Sequence, residues 1–565
     1  MLRKYFDAYL KALQTEQYHE LYQLELKVPE HFNWVRDVFE AIHVHEHPEK
    51  TMLELVDEEG IIASVSYQNA MQQCNRLLNY LRASGLQKGD TVCLMGGLHA
   101  SLWISYLAII KGGFVLMPAA NILSAEDIAY RFKANPPRAI ISDEENFDKI
   151  NEAESLAGMD APVKLLMDRK ATDWHHFDVI YQHDATAEAA DTLATDTLFL
   201  FFTSGTTGMP KIAEHTHSSY PLGHLTTAAW IGLKQSDKHY NISQPGWAKF
   251  SWSCFFAPLN VGATIFSYRQ SGRFNAVRQL ETISQYKITT LCCPPTALRQ
   301  LVLEDLSAYI FHLRQCVSAG EPLNPEVIEA WQRGTGHLIR DGFGQTESTC
   351  MVCNLPGDPV KFGSMGKPAF LYDIVIADED GNVLPPHEEG QIAVRMKPGV
   401  FNGIFKSYLG APDKTAEVFK HGLYYTGDKA FVDEEGYIWF VGRTDDVIKS
   451  SDYRVGPFEV ESVLIELAEV QESAVVGSPH SMKTAEVKAY IVLHPDAEAS
   501  EALAKMIFSY CREHMAPYKM PRIIEFVDEL PKTISGKIRR IELRATEAEK
   551  KAKGLVGERE YFYKA

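Results

Sequence analysis

No apolar run in this chain is both long enough and free enough of charge to form a membrane-spanning helix, so an integral membrane protein of that kind is not expected. Positive charge is also scarce. Against 74 Asp and Glu there are 56 Lys and Arg, a formal net charge of −18. That balance argues against nucleic-acid or membrane-surface binding, both of which need a cationic face, but it leaves room for a local basic site that holds a small phosphorylated ligand. The nine cysteines lack the spaced framework of a secreted disulfide protein. The opening MLRKYFDAYLKALQTEQYHELYQ has no apolar core of signal-peptide type, and its aromatic and leucine positions fit an ordinary helix. Repeats, low-complexity tracts and the Walker spacing G-x-x-x-x-G-K-[ST] are all missing. The expectation is a reduced, soluble, cytoplasmic enzyme; a homo-oligomer is compatible with this composition.

What is present is globular: 45% hydrophobic and 23% charged residues in 565 positions, a length that calls for more than one core. RDVFEAIHVH and QNAMQQCNRLLNYLRASG read as amphipathic helices, the second closed by Gly85. TVCLMGG, FVLMPAA, RAIIS, VKLLMD, TLFLFFTSG, ATIFSY, ITTLCCPPTAL and CVSAGEPLNPEVIEAW each begin as a buried strand and run into a turn, often with a helix after it. That alternation predicts α/β architecture with mostly parallel sheets flanked by helices, and ligands at the carboxyl ends of the strands. From about residue 370 the pattern becomes β-rich: YDIVIADEDGNVLPPHEEGQIAVRM and FVDEEGYIWFVGR read as hairpins. After GRTDDVIKSSDYRVG, helices and strands form a small α+β unit. The predicted division is a large domain, 1–444, and a small mobile domain, 445–565.

The segment LFLFFTSGTTGMPK empties a strand into Thr203, Ser204, Gly205, Thr206, Thr207 and Gly208 and ends at Lys211. Glycines allow close backbone approach, hydroxyls donate hydrogen bonds, and the lysine adds positive charge, which together suit a polyphosphate. Four further segments follow in order: SAGEPLNPE (318–326), DGFGQTES (341–348), YYTGD (424–428) with GYIWFVGRTDDVIK (436–449), and PKTISGKIRR (531–540).

In this order the five segments resemble the adenylate-forming superfamily of acyl-CoA synthetases, coumarate-CoA ligases, luciferases and peptide-synthetase adenylation domains, over roughly residues 50–545. GWAKF, the segment SSDYRVGPFEVES and APYKMPR look most like medium-chain acyl-CoA synthetases, with acetyl-CoA synthetases next. The resemblance implies a two-step reaction: a carboxylic acid and ATP give acyl-adenylate and pyrophosphate, then coenzyme A gives acyl-CoA and AMP. The alternative acceptor is a carrier protein or another nucleophile, although no carrier domain follows in this chain. The resemblance places Thr203 to Gly208 and Lys211 on the β- and γ-phosphates, and Gly320, Glu321 and Pro322 beside the adenine. Asp341 would accept from the exocyclic amine and Phe343 would stack, with Gly342, Gly344 and Gln345 completing the turn. Thr346 would touch the α-phosphate, Glu347 would hold Mg²⁺ as a hard oxygen ligand, and Asp428 and Arg443 would bind the ribose. Lys537 would bridge the substrate carboxylate and α-phosphate, offsetting their repulsion; an acetyltransferase acting on it would remove that charge. Asp445 corresponds to the hinge about which the small domain rotates.

Coenzyme A is implied to run past Ser451, Asp452, Tyr453 and Arg454, with Arg512 and Lys519 as a basic surface for its phosphates. Asp452 departs from the family's glycine there, which gives the thiol arm room. Gly344 stands where acetyl-specific relatives have tryptophan, implying a pocket open to a medium-chain, branched or aromatic acid, and a Gly344→Trp change that shifts preference toward acetate. Trp247, Lys249, Trp252, Cys292 and Cys293 are the expected walls, although Lys249 also reads as a snorkelling surface lysine. His43, His45 and His47 read as a polar strand edge, and Cys350 with Cys353 as packing. Neither set has the second group of ligands that a metal site needs. EHTHSSY (214–220) reads as a helix start.

Overall fold

The computed structural model describes residues 1–203, 210–450, 453–480, 484–533 and 537–563. No helix among them is long and apolar enough to cross a membrane. The helix Tyr67–Ala83 starts where the Ser66 hydroxyl accepts from the Asn69 amide, which satisfies one of its free N-terminal donors, and Gly85 (φ +92°) lets the chain turn away afterwards. The stretch Val35–Val44 is helical but wound wider than an α-helix. It carries His43 inward to the Asn260 carbonyl at 3.1 Å; His45 follows at the helix end and His47 lies just beyond it, so none of the three is on a strand edge.

Two sheets carry the larger part of the chain. In the first, eight strands run in the order Ser407–Tyr408, Lys211–Thr216, Thr197–Thr203, Val115–Ala119, Thr91–Met95, Ala139–Ser142, Val163–Leu166 and His175–His176, parallel from Thr197–Thr203 onward. The second has fourteen strands. Its parallel half places Thr290–Cys292, Gln315–Ser318 and Ile339–Gly344 side by side. Residues alternate across this half: Cys292 joins the core that contains Trp252 and Val317, while Leu291 and Cys293 join the core beneath Leu280 and Trp331.

The β-rich section begins earlier than residue 370 and is not a separate unit. Cys350–Cys353 pairs antiparallel with Ile339–Gly344, so the same sheet continues through Ser364–Pro368, Ile438–Arg443, Leu423–Val432, Gly390–Arg395 and Ile374–Ala377. Leu423–Val432 and Ile438–Arg443 form the expected hairpin. Ile374–Ala377 and Gly390–Arg395 also pair, but Asp380 and Gly381 lie in a longer loop between them. EHT belongs to the strand Lys211–Thr216, and the helix starts only at Ser219.

A third sheet, of six strands, takes Ile448–Ser450, Tyr453–Val455, Val470–His480, Thr484–Leu493, Ile523–Phe526 and Glu560–Phe562. With the helices Pro457–Ile465, Glu501–His514 and Arg540–Ala552 it encloses a core of its own around Val460, Val475, Ile491, Ile507 and Phe526. Beside that core lies a buried ionic knot. Lys488, with none of its side chain exposed, reaches Glu547 at 2.5 Å, Glu525 at 2.6 Å and Glu560 at 2.9 Å. These three carboxylates are close enough to hold a metal ion, and the lysine ammonium supplies the cation. It ties the last strand to the helix Arg540–Ala552, because Glu547 and Glu560 belong one to each. Removing one partner of a buried pair leaves the other charges uncompensated, at about 3–5 kcal/mol. Lys488→Ala is therefore expected to lower the stability of the C-terminal unit by about that amount, read as an early transition in urea unfolding; a single unfolding curve matching the unmodified chain would contradict this role.

Candidate active site

Three of the motif segments begin at the carboxyl ends of strands. Thr197–Thr203 ends at the hydroxyl-rich loop, of which Ser204, Gly205, Thr206, Thr207 and Gly208 lie outside the described residues, as do Ser451 and Asp452. Gln315–Ser318 leads to Gly320, Glu321 and Pro322, and Ile339–Gly344 leads to Gln345, Thr346 and Glu347. The second and third loops inherit their positions from buried strands.

The turn 341–347 is fixed from below by Arg340. Its guanidinium is buried and donates to the carbonyls of Trp230, Ile231 and Asn354 and to Gln315 Oε1. Trp230 and Asn354 also donate to the Asp341 carbonyl, each at 3.2 Å. Burial pushes the Asp341 carboxyl up to about 8, partly offset by the Gly342 amide. A Cβ on Gly342 would stand 2.6 Å from the Trp230 ring, so only glycine lets strand and indole approach this closely.

His215, which sequence reasoning set aside in a helix start, holds Thr346. It is buried, and burial lowers it to about 3, so it is neutral. It donates from Nε2 to the Thr346 carbonyl at 2.8 Å and lies 3.0 Å from Ser219 Oγ through Nδ1. Tyr408 was also missed. Its hydroxyl donates to Glu347 Oε1 at 2.7 Å, and the Lys211 ammonium sits over its ring at 4.7 Å. One phenol thus sets the spacing between the lysine expected on the phosphates and the carboxylate expected on magnesium. Glu347 fits that ion as a single hard oxygen ligand: no cluster of three acidic, His or Cys ligands gathers here among the described residues, and magnesium commonly takes one or two carboxylates plus substrate phosphates and water.

Across the cleft, Asp428 and Arg443 face each other on adjacent strands. Gln345 Nε2 donates to Asp428 and to the Thr426 carbonyl, and Gln345 Oε1 accepts from Tyr424. Burial raises the Asp428 carboxyl to about 6 against the pull of Arg443 and Lys537. Burial works against the Arg443 guanidinium, yet Asp428, Asp445, Asp446 and Glu347 hold its pKa above the ordinary value.

Lys537 reaches this group from the C-terminal unit. Crowding by protein atoms lowers its ammonium. Glu321 and Asp428 pull it back up, and Arg443 and Lys249 push it further down. The residue keeps much of its surface open to solvent. Its neighbours Arg539 and Arg540 pair with Glu542 and Glu461, and Arg540 also feels Glu321. Lys249 is no surface lysine: its ammonium donates to the Ala319 carbonyl at 2.9 Å beside Asp341 and Lys537.

The remaining expected residues divide. Trp252 meets Gly344, where a Cβ would lie 2.3 Å from Trp252 Cη2 and 2.1 Å from the Thr349 carbonyl oxygen. Gly344 therefore does not open the pocket; the Trp252 indole already fills the space, and a tryptophan at 344 would collide with backbone. Trp247 packs toward Met117 and Ala119 on the other sheet. Tyr453 stacks on Tyr518 at 4.5 Å, Lys519 pairs with Glu459, Arg512 lies 3.4 Å from the Tyr563 hydroxyl, and Arg454 is exposed. All nine cysteines are free and buried, and Cys350 and Cys353 are held in a strand with no third ligand among the described residues.

A carboxylate that must accept hydrogen bonds serves best when ionised. With the Asp428 carboxyl raised to about 6, the KM for ATP is expected to rise as pH falls through about 6 and to be flat above it. Asp428→Asn should remove that acid limb while raising KM throughout. An acid limb that survives in Asp428→Asn would assign it to another group.

Comparison with known proteins agrees with this geometry. The AMP-binding enzyme family matches residues 41–405 and the AMP-binding enzyme C-terminal domain matches 459–537. The chain is 49% identical to 4-hydroxybutyrate–CoA ligase 1 of Metallosphaera sedula, over 96% of this chain and 94% of that one. It is 39% identical to the mitochondrial acyl-coenzyme A synthetase ACSM3 of Rattus norvegicus, over 93% and 92%. Among solved structures, the anthranilate CoA ligase AuaEII in complex with anthranoyl-AMP superimposes with a TM-score of 0.85 at 32% identity, covering 94% of this chain and 99% of that one. The chain belongs to the AMP-binding enzyme family, in the branch formed by the acyl-CoA synthetases.

Proposed function

We propose that Lys537 is the catalytic ammonium of acid adenylation and that the structure corresponds to the pose for that first step. The observation that carries this reading is the shared electrostatic environment of Lys537, Asp428, Arg443, Glu321 and Lys249. A carboxylate oxygen attacks the α-phosphorus of ATP, the bond to the β-phosphate oxygen breaks, and pyrophosphate leaves. The Lys537 ammonium lies between the two anions and lowers their repulsion as charge develops. Lys211 and the hydroxyl-rich loop hold the β- and γ-phosphates, Thr346 the α-phosphate, Asp428 and Arg443 the ribose, and Asp341 and Phe343 the adenine. Glu347 would hold Mg²⁺, which would neutralise phosphate charge.

In the second step the thiol sulfur of coenzyme A attacks the acyl carbon and AMP leaves. Tyr453, Arg454, Arg512 and Lys519 are the residues proposed to meet coenzyme A, and no hydrogen bond or ion pair among the described residues joins them to Lys537. That separation supports a rotation of residues 445–565 about Asp445, against 1–444, to exchange one set for the other. Arg544 pairs with Asp446 and Asn324 donates to Ser462 at 3.2 Å; a rotation about Asp445 would break the second contact. As to the acid, Trp252 removes the support that Gly344 lent to a long or bulky chain. A short acid is the better reading, in keeping with the name of the Metallosphaera sedula relative.

Lys537→Ala is expected to lower acid-dependent ATP–pyrophosphate exchange by about 10²–10³ while thioester formation from supplied acyl-adenylate and coenzyme A continues. Exchange near the unmodified rate would remove Lys537 from the mechanism. Loss of both half-reactions together would assign it a structural role.

A further inference from the structure

The short strand Ser407–Tyr408 is added to the edge of the eight-stranded sheet, beside the strand that begins at Lys211. Ser407 lies opposite Glu214 and Tyr408 opposite Ala213. On either side of them the Lys406 and Leu409 amides donate to the Glu214 and Ile212 carbonyls at 2.8 and 2.9 Å. The buried Glu214 carboxylate accepts from Lys406 Nζ at 3.0 Å and from Ser407 Oγ at 2.8 Å, and the Tyr408 amide donates to Thr415 Oγ1 at 3.0 Å. The place of Tyr408 is therefore set by main chain and by side chains together.

This segment grips Glu347 at two points. The Phe405 amide donates to the Glu347 carbonyl at 2.8 Å, and the Tyr408 hydroxyl donates to Oε1 at 2.7 Å. Tyr408 is 5% exposed and packs edge-on against Phe405 with ring centres 4.8 Å apart, so the phenol is held where it meets the carboxylate. Oε1 carries the one side-chain hydrogen bond that Glu347 makes among the described residues.

A carboxylate can meet a cation through one oxygen or through both. Both together subtend a narrow angle at the ion. Ca²⁺ accepts that angle in its large and flexible shell, whereas Mg²⁺ demands near-ideal octahedral geometry. A hydroxyl already donating to one oxygen leaves the other as the free ligand. We propose that Tyr408 is a positioning residue that sets metal preference: by occupying Oε1 it makes Glu347 a one-oxygen ligand, which favours Mg²⁺ over Ca²⁺. This rests on the reading of Glu347 as the magnesium ligand and adds what makes that ligand selective.

The test is calorimetric binding of αβ-methylene-ATP, which cannot be adenylated, to the full chain with Mg²⁺ and with Ca²⁺. Unmodified protein is expected to bind the analogue about tenfold or more tightly with Mg²⁺. Tyr408→Phe keeps the ring beneath Lys211 and loses only the hydroxyl. Its Mg²⁺ preference is expected to fall by about tenfold, the scale of a hydrogen bond to a charged group. A Tyr408→Phe protein that unfolds at the normal temperature and keeps the preference overturns the proposal. So does one that binds less tightly with both metals equally, because Tyr408 is then a structural support alone. An unmodified chain without preference overturns it too, even where Tyr408→Phe does not fold. Glu347→Gln tests the underlying reading and is expected to lose the difference between the metals. If it keeps the preference of the unmodified chain, Glu347 is not the ligand and both readings fall.

Discussion

A buried carboxylate, Asp428, is the constraint around which the cleft is arranged. It sits on a strand deep in the antiparallel half of the large sheet, where an isolated negative charge is expensive. Three elements answer it: Arg443 from the neighbouring strand, Gln345 from the nucleotide turn, and Lys537 from the C-terminal unit. Each neighbour is also a residue that the reaction is expected to use. The charge that would bind ribose therefore also gathers the groups that would handle phosphate and carboxylate. Its raised pKa reflects incomplete compensation, and a bound nucleotide's hydroxyl donors would supply what the protein leaves unpaired.

Tyr408 plays the corresponding part on the phosphate side. It fixes Glu347 with the hydroxyl and meets Lys211 with the ring face, so one side chain contacts both of these opposite charges. A direct Lys211–Glu347 bridge would spend both groups on each other. Both meet the phenol instead, and the aromatic face stabilises the ammonium in the meantime.

Sequence reading reached the motif loops because their chemistry is local: hydroxyls and glycines after a strand, an acid after a Gln-Thr pair, a lysine in a glycine turn. It missed His215, Tyr408 and Arg340, whose roles exist only through partners more than ten residues away. EHTHSSY has no periodicity that separates strand from helix start, and the antiparallel extension beginning at Cys350–Cys353 is a pairing choice that no short segment encodes. The surface reading of Lys249 failed for the same reason: the carbonyl and carboxylate around it come from distant strands.

Gly344 illustrates a more general difficulty. A small residue at a pocket position implies room only if nothing else moves in. Here the space belongs to the Trp252 indole, which reaches the same spot from a different helical segment. A tryptophan on the helix fills the volume beside the nucleotide turn while the turn keeps its glycine. The room at a pocket position therefore depends on which side chains reach it from elsewhere in the fold and not on the residue at that position alone.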